Sequence, residues 1–323
     1  MSDIQDIILH WYPHSPFAQK VAWVLNYKKV EYKTVLIPML EPRQKRRPLD
    51  GGYRKTPILQ IGNHVYCDSK AIFLALEKLF PEPSLYPKIK NSNESSEGAA
   101  RALTMWMDNT LFNNIVSQLP VKDLDDAFLA DREALAGRKL DRKTLAGGAP
   151  FMKATLQGEF ALAEQTLGSK NWLLDTETPS LADISLAMST FFTLNLAGEK
   201  FVQTNFKSLF NHMQKLLGTV SWDRTETMSV ISEEEAIEVL KRHQDTEIEA
   251  NFKVHSSVLP IELGQQVFVT PLDTGKIPVP GTLIRSTIDE TVVAYKDATY
   301  NTTTLIHFPT IGFVVIPNLG AKY

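Results

Sequence analysis

Ser15 stands where chemistry is easiest to place in this chain. It follows an apolar run, Ile7–Trp11, that predicts a strand, and it opens a segment in which Phe17, Val21, Val24 and Leu25 recur at helical spacing. Serine is a favoured N-cap and Pro16 suits the first helical position. A hydroxyl at that place lies beside unpaired backbone N–H groups and the positive end of the helix dipole, so an anion held there is stabilised twice. A sulfur anion fits. A free thiol titrates near about 8.5, and lowering that by about 2 units takes about 2.7 kcal/mol. A hydrogen bond to a charged acceptor supplies about 1.5–3 kcal/mol and the dipole up to about 1, which is sufficient without a metal or a histidine base. His14, next to it, is placed to tune its field, and Tyr12 lies three residues before it.

The elements around Ser15 alternate. Pro16–Lys28 reads as a helix and Val30–Leu36 as a strand of alternating apolar and polar residues. A basic loop follows, with Arg43, Lys45, Arg46 and Arg47, most of whose charges are expected to be solvated. Ile58–Ile61 and His64–Tyr66 bracket Gly62-Asn63 as a hairpin, and Ser69–Phe80 closes the unit as a helix. Strand, helix, strand, hairpin and helix is the thioredoxin-like arrangement. Residues 100–219 are helical in pattern. Leu103, Trp106, Met107 and Leu111 form one stripe, Leu156, Phe160, Ala163 and Leu167 another, and Ser180-Leu-Ala-Asp183 is a capping signal. Gly147-Gly148-Ala149-Pro150 is expected to split the helices into two groups. After Trp222 a capping box at Ser232–Glu235 starts one short helix, Glu233–His243. Five β-rich runs follow: Gln266–Thr270, Gly281–Ser286, Thr291–Lys296, Thr303–Phe308 and Gly312–Ile316. They predict a small β-barrel or sandwich.

Three landmarks give residues 6–87 a resemblance to the N-terminal domain of glutathione transferases, and the helical block resembles their C-terminal domain. Trp11-Tyr-Pro-His-Ser-Pro-Phe-Ala-Gln-Lys-Val21 is similar to the W-x-S-P-F-x-x-R-V signature of the serine-type classes. Lys55-Thr-Pro-Ile-Leu59 is similar to K-x-P-x-L, and Asp68-Ser-Lys-Ala-Ile72 to E/D-S-x-A-I. The resemblance implies a thioredoxin-like α/β domain over 1–87, an all-helical domain over 95–225, and outside the usual pattern an additional β-rich module over 229–323, similar to tails of fungal members. It implies that Ser15, with Tyr12 as the second candidate, donates to the glutathione sulfur, that a cis Pro57 lets Thr56 offer its backbone to the cysteinyl unit, and that Ser69 and Asp68 take the γ-glutamyl end. Lys55, or one of the basic-loop residues, holds the glycyl carboxylate. Met105, Trp106, Asp108 and Asn109 would help to wall a pocket for an apolar electrophile. Glutathione is then the co-substrate, no metal is needed, and a homodimer is the expected assembly. The alternatives are a glutathione-dependent isomerase or lyase on the same site, and a non-catalytic glutathione-binding or regulatory protein.

Composition agrees with an ordinary globular protein. Of 323 residues 43% are hydrophobic and 22% charged, and the net charge is −3. A sequence pI of about 6.2 speaks against a nucleic-acid partner. The single cysteine, Cys67, excludes an internal disulfide and reads as packing rather than redox chemistry. With no signal peptide or long apolar run, the cytosol is the default and no membrane contact is expected.

Overall fold

The computed structural model describes residues 6–244, 258–318 and 320. β1 (Ile7–Trp11), α1 (Pro16–Tyr27), β2 (Lys33–Leu36), a short α2 (Arg47–Asp50), β3 (Ile58–Ile61), β4 (His64–Cys67) and α3 (Ser69–Leu79) build the first unit. β1 pairs parallel with β2 and antiparallel with β3, and β3–β4 is the hairpin around Gly62. This is the thioredoxin-like order. β2 starts three residues later than the apolar alternation predicts. The chain leaves α1 through Lys29 at φ +55°, and the Val30 N–H is still spent on Leu25 O.

The helical unit follows: α4 (Glu97–Trp106), a π-helical turn (Met107–Leu111), α5 (Phe112–Val116), α6 (Asp126–Ala136), α7 (Arg142–Leu167), α8 (Leu181–Ala197), α9 (Glu199–Asn205) and α10 (Lys207–Val220). Its core gathers Met107, Leu111, Ile115, Leu156, Phe160, Leu186 and Leu209. α7 corrects the expected break, since Gly147, Gly148 and Pro150 all lie inside one continuous helix. The proline forfeits one N–H bond. Asp141 caps the start through the Thr144 N–H (2.7 Å), and Leu156, Phe160, Ala163 and Leu167 anchor the far half in the core, which together hold the helix straight through.

Ser180 and Asp183 form a capping box at the start of α8, and Asp183 is fully buried. Its carboxylate accepts from Leu173 N (2.7 Å), Ser180 N (2.8 Å), Ser180 Oγ (2.6 Å) and His212 Nε2 (2.9 Å). It therefore ties three segments together. Asp183→Ala orphans these donors and is expected to cost about 2–3 kcal/mol in urea unfolding, with Asp183→Asn recovering part of it.

α11 (Glu233–Arg242) covers β1 and β2 through Ala236 and Val239, and it precedes β5 (Gln266–Pro271), β6 (Val279–Ser286), β7 (Glu290–Asp297), β8 (Thr302–Pro309) and β9 (Phe313–Pro317). These strands do not stand apart as a separate sheet. β8 pairs parallel with β4, so a single sheet runs β2-β1-β3-β4-β8-β7-β6-β5-β9. The reason lies in the core. Val267, Val269, Leu283, Val293 and Phe308 share one apolar cluster with Leu49, Tyr53, Ile58, Val65 and Cys67 of the first unit. Each part helps to bury the apolar face of the other.

A polar chain crosses the β4–β8 seam. His64 Nδ1 and His307 Nε2 lie 2.8 Å apart and share one proton, and His307 Nδ1 faces Glu290 at 3.1 Å. Burial, reinforced by His307, pushes His64 down to about 3. For Glu290 burial acts upward, but the His307 bond and Arg285 outweigh it and bring the carboxyl to about 2. His10, buried against Gln60, is pushed down to about 4. Both kinds of shift have the same consequence. The histidines stay neutral in the fold but protonate in the unfolded chain below their ordinary 6.5, and Glu290 loses its contribution below its ordinary 4.5. Stability is therefore expected to fall from pH 7 towards pH 4, first through the histidines. The midpoint of urea unfolding against pH checks this; a flat profile between pH 7 and about 4.5 contradicts it.

Candidate functional site

Strand register decides which loops meet. His10 lies opposite Ile58, and Ile58 opposite Cys67. The end of β1, the start of β3 and the end of β4 therefore lie at one end of the sheet. The segments just beyond them are Tyr12–Ser15, Lys55–Pro57 and Asp68–Ser69, so the sequence landmarks converge there.

Ser15 has extended backbone angles and caps α1, its Oγ accepting the Ala18 N–H at 3.3 Å. The residue is 4% exposed, and among the described residues no acceptor takes the hydroxyl proton. Tyr12 packs its ring on the cluster under α11 and under the Arg43 guanidinium, 5.9 Å from the ring centre. His14 is exposed. The Thr56–Pro57 bond is cis. Asp68, at φ +81°, caps α3 by accepting the Lys70 N–H at 3.0 Å, and Ser69 is buried in the first turn. Burial would raise the Asp68 carboxyl, but Lys70 at 3.1 Å and Lys55 at 3.7 Å hold it below the usual range. Lys55 is thus brought beside Asp68. Its ammonium also binds Asp273 in the loop between β5 and β6, at 2.8 and 2.9 Å.

The basic loop departs from the expectation of solvated charge. Arg43 and Arg46 are buried. Arg43 donates to Pro38 O, Met39 O and Arg54 O at 2.7–2.9 Å. Arg46 pairs with Asp50 at 2.6 Å, both side chains fully buried, and donates to Tyr53 O, Lys55 O and Thr56 Oγ1 at 2.8–3.1 Å. The planar guanidinium can serve carbonyls in several directions, which suits an irregular segment with no strand partner. Gln44 and Lys45 alone are exposed between them.

On the helical side, the π turn aims Asp108 at Lys20, with Nζ–O distances of 2.5 and 2.6 Å. The Lys20 ammonium is fully buried between the Phe17 and Phe73 rings, at 5.2 and 5.4 Å. Burial pushes Lys20 down and Asp108 up, and each opposes the other's shift. This pair joins α1 to the helical unit. Met105 is exposed and lines a cleft with Lys70, Phe73, Tyr86 and Asp108, whereas Trp106 packs on the helical core and Asn109 is exposed, its amide on Met105 O. Phe17, Phe112 and Phe192 form a run of aromatic contacts with ring centres 4.7 and 5.9 Å apart. Cys67 is buried in the shared core, and burial pushes its thiol up, away from reactivity.

Residues 9–84 match the family described as glutathione S-transferase, N-terminal domain. Residues 112–225 match a domain family of unknown function, DUF7962. Among solved structures, a GST-like protein from Pseudomonas syringae shares 25% identity at a TM-score of 0.70, covering 97% of this chain and 99% of its own. A glutathione S-transferase from Methylobacterium radiotolerans, in complex with glutathione sulfonate, shares 20% identity at a TM-score of 0.51 over 68% of this chain and 94% of its own. One from Methylobacillus flagellatus with glutathione bound shares 17% at 0.52, over 70% and 100%. No curated protein matches the chain. The chain thus has a GST-type N-terminal domain in a GST-like fold. The Pseudomonas protein is matched along almost all of it, the C-terminal strands included. No helix among the described residues is long and apolar enough to cross a membrane. No group of three or more His, Cys, Asp or Glu among them is placed to hold a metal ion.

Proposed function

We propose that the protein is a glutathione transferase of the serine type, in which Ser15 donates its hydroxyl proton to the sulfur of bound glutathione and so favours the thiolate. One observation carries this reading. The capped start of α1, with a hydroxyl proton unspent, lies at the same end of the sheet as Thr56 and the start of α3. The match over residues 9–84 and the two glutathione-holding structures of the same fold support it. Thr56 offers main-chain N–H and C=O to the cysteinyl unit. Ser69 and the first turn of α3 receive the γ-glutamyl carboxylate, and Asp68 its ammonium group. Lys55 takes the glycyl carboxylate. Binding holds an apolar electrophile against the sulfur, which supplies the proximity term. Phe17, two residues after Ser15, Phe112 against it and Met105 of α4 are the apolar walls proposed for it.

The protein is read as cytosolic. A homodimer, if formed, must do without the free edge of β4, because β8 occupies it. Calorimetry with glutathione, followed by turnover against a panel of electrophiles, tests the proposal. Saturable binding with conjugation supports it. Binding without turnover on any electrophile favours the regulatory alternative, and no binding removes both.

A further inference from the structure

Lys55 is not waiting for a ligand with its charge unanswered. Asp273 grips it with both carboxylate oxygens, at 2.8 and 2.9 Å, although 218 residues separate the two in sequence. The lysine is set for this contact. Its ammonium lies 5.9 and 5.6 Å from the ring centres of Tyr53 and Phe313, and its side chain is 18% exposed. The loop that carries Asp273 is fastened on both sides. Leu272 N donates to Gly312 O (2.9 Å) and Gly275 N to Leu135 O of α6 (2.7 Å). Gly275 adopts φ +60° and slides between Arg54 and Leu135, where a Cβ would come within 3.2 Å of both side chains. Arg54 in turn is pinned to α6 by Asp131 at 2.8 Å. The charged groups around Lys55 are therefore Asp273 on one side and Asp68, itself paired with Lys70, on the other.

We propose that Asp273 is a specificity-determining residue: its carboxylate holds Lys55 in the manner of a peptide's C-terminal carboxylate, so that a peptide thiol ending in a charge must displace it and one ending in a neutral group need not. This rests on the glutathione reading given above and deepens it. The contact is displaceable because the Asp273 side chain is 53% exposed, and an ion pair open to water is weak. The consequence is a site that gains little from the glycyl charge. It accepts peptide thiols blocked or extended at that end about as well as glutathione itself.

The test is calorimetric affinity of the full-length protein and of Asp273→Asn for glutathione and for glutathione glycyl amide. The unaltered protein is expected to bind the acid and the amide within about twofold of each other. Asp273→Asn is expected to bind the acid about fivefold more tightly while changing the amide less than about twofold. A preference of about tenfold or more for the acid in the unaltered protein overturns the proposal. So does a variant that tightens neither ligand, or both equally, while the unaltered protein still binds glutathione. If both proteins fail to bind either peptide, the glutathione reading itself falls, and the inference with it.

Discussion

Arg46→Met is expected to destabilise the protein by about 3–5 kcal/mol. Arg46 and Asp50 are both fully buried, so the substitution leaves a carboxylate in the core with only Arg47 at 3.3 Å and the Gly52 N–H at 2.8 Å to answer it. It also releases Tyr53 O, Lys55 O and Thr56 Oγ1, the three acceptors that fix the segment entering β3. Stability and binding should therefore fall together, with glutathione affinity reduced at temperatures where the variant is still folded. Arg46→Lys should rescue little. A single ammonium cannot reach Asp50 and three acceptors spread over Tyr53–Thr56 at once. Urea midpoints and calorimetry of both variants provide the check. A stability within about 1 kcal/mol of the unaltered protein would show that Asp50 finds another partner.

Ser15→Ala carries the second large effect, on rate rather than on binding. Removing one donor aimed at a developing or bound anion typically slows a reaction by about 100-fold or more. Most proposed contacts to the peptide lie at Thr56, Lys55 and Ser69, so affinity should stay within about twofold. The lost cap on Ala18 N adds about 1 kcal/mol of destabilisation, which Ser15→Thr should largely restore. Unchanged conjugation in Ser15→Ala would reassign the donor. Tyr12 is then the less suitable heir, because its ring is taken up by Arg43 and the cluster under α11, while His14 is exposed next to the cap.

Local signals carried far in this chain where the physics is local. The N-cap at Ser15, the hairpin at Gly62 and the capping boxes at Ser180 and Ser232 could all be read from residue types and spacing, because each is settled within a few residues. The misreadings arise where distant segments decide. Nothing in Arg43-Gln-Lys-Arg-Arg47 separates the two buried guanidinium groups from their exposed neighbours until carbonyls between Pro38 and Lys55 fold around them. Pro150 looks like a stop until packing of the later half of α7 overrides it. Five short strands look independent of the first unit until β8 is seen to pair with β4 and Val267, Val293 and Phe308 to share a core with Leu49, Tyr53 and Val65. Lys55 was legible as a cation near the site, but its partner Asp273 was not, since no local pattern links residues so far apart.

Everything proposed for Ser15 rests on a bound thiol being negative near neutral pH. The most direct measurement is an NMR pH titration of glutathione labelled at its cysteinyl β-carbon, bound to the protein at saturation. The expected midpoint lies about 2 units below that of the free thiol and returns towards it in Ser15→Ala. Saturable binding with the midpoint of the free peptide would contradict it.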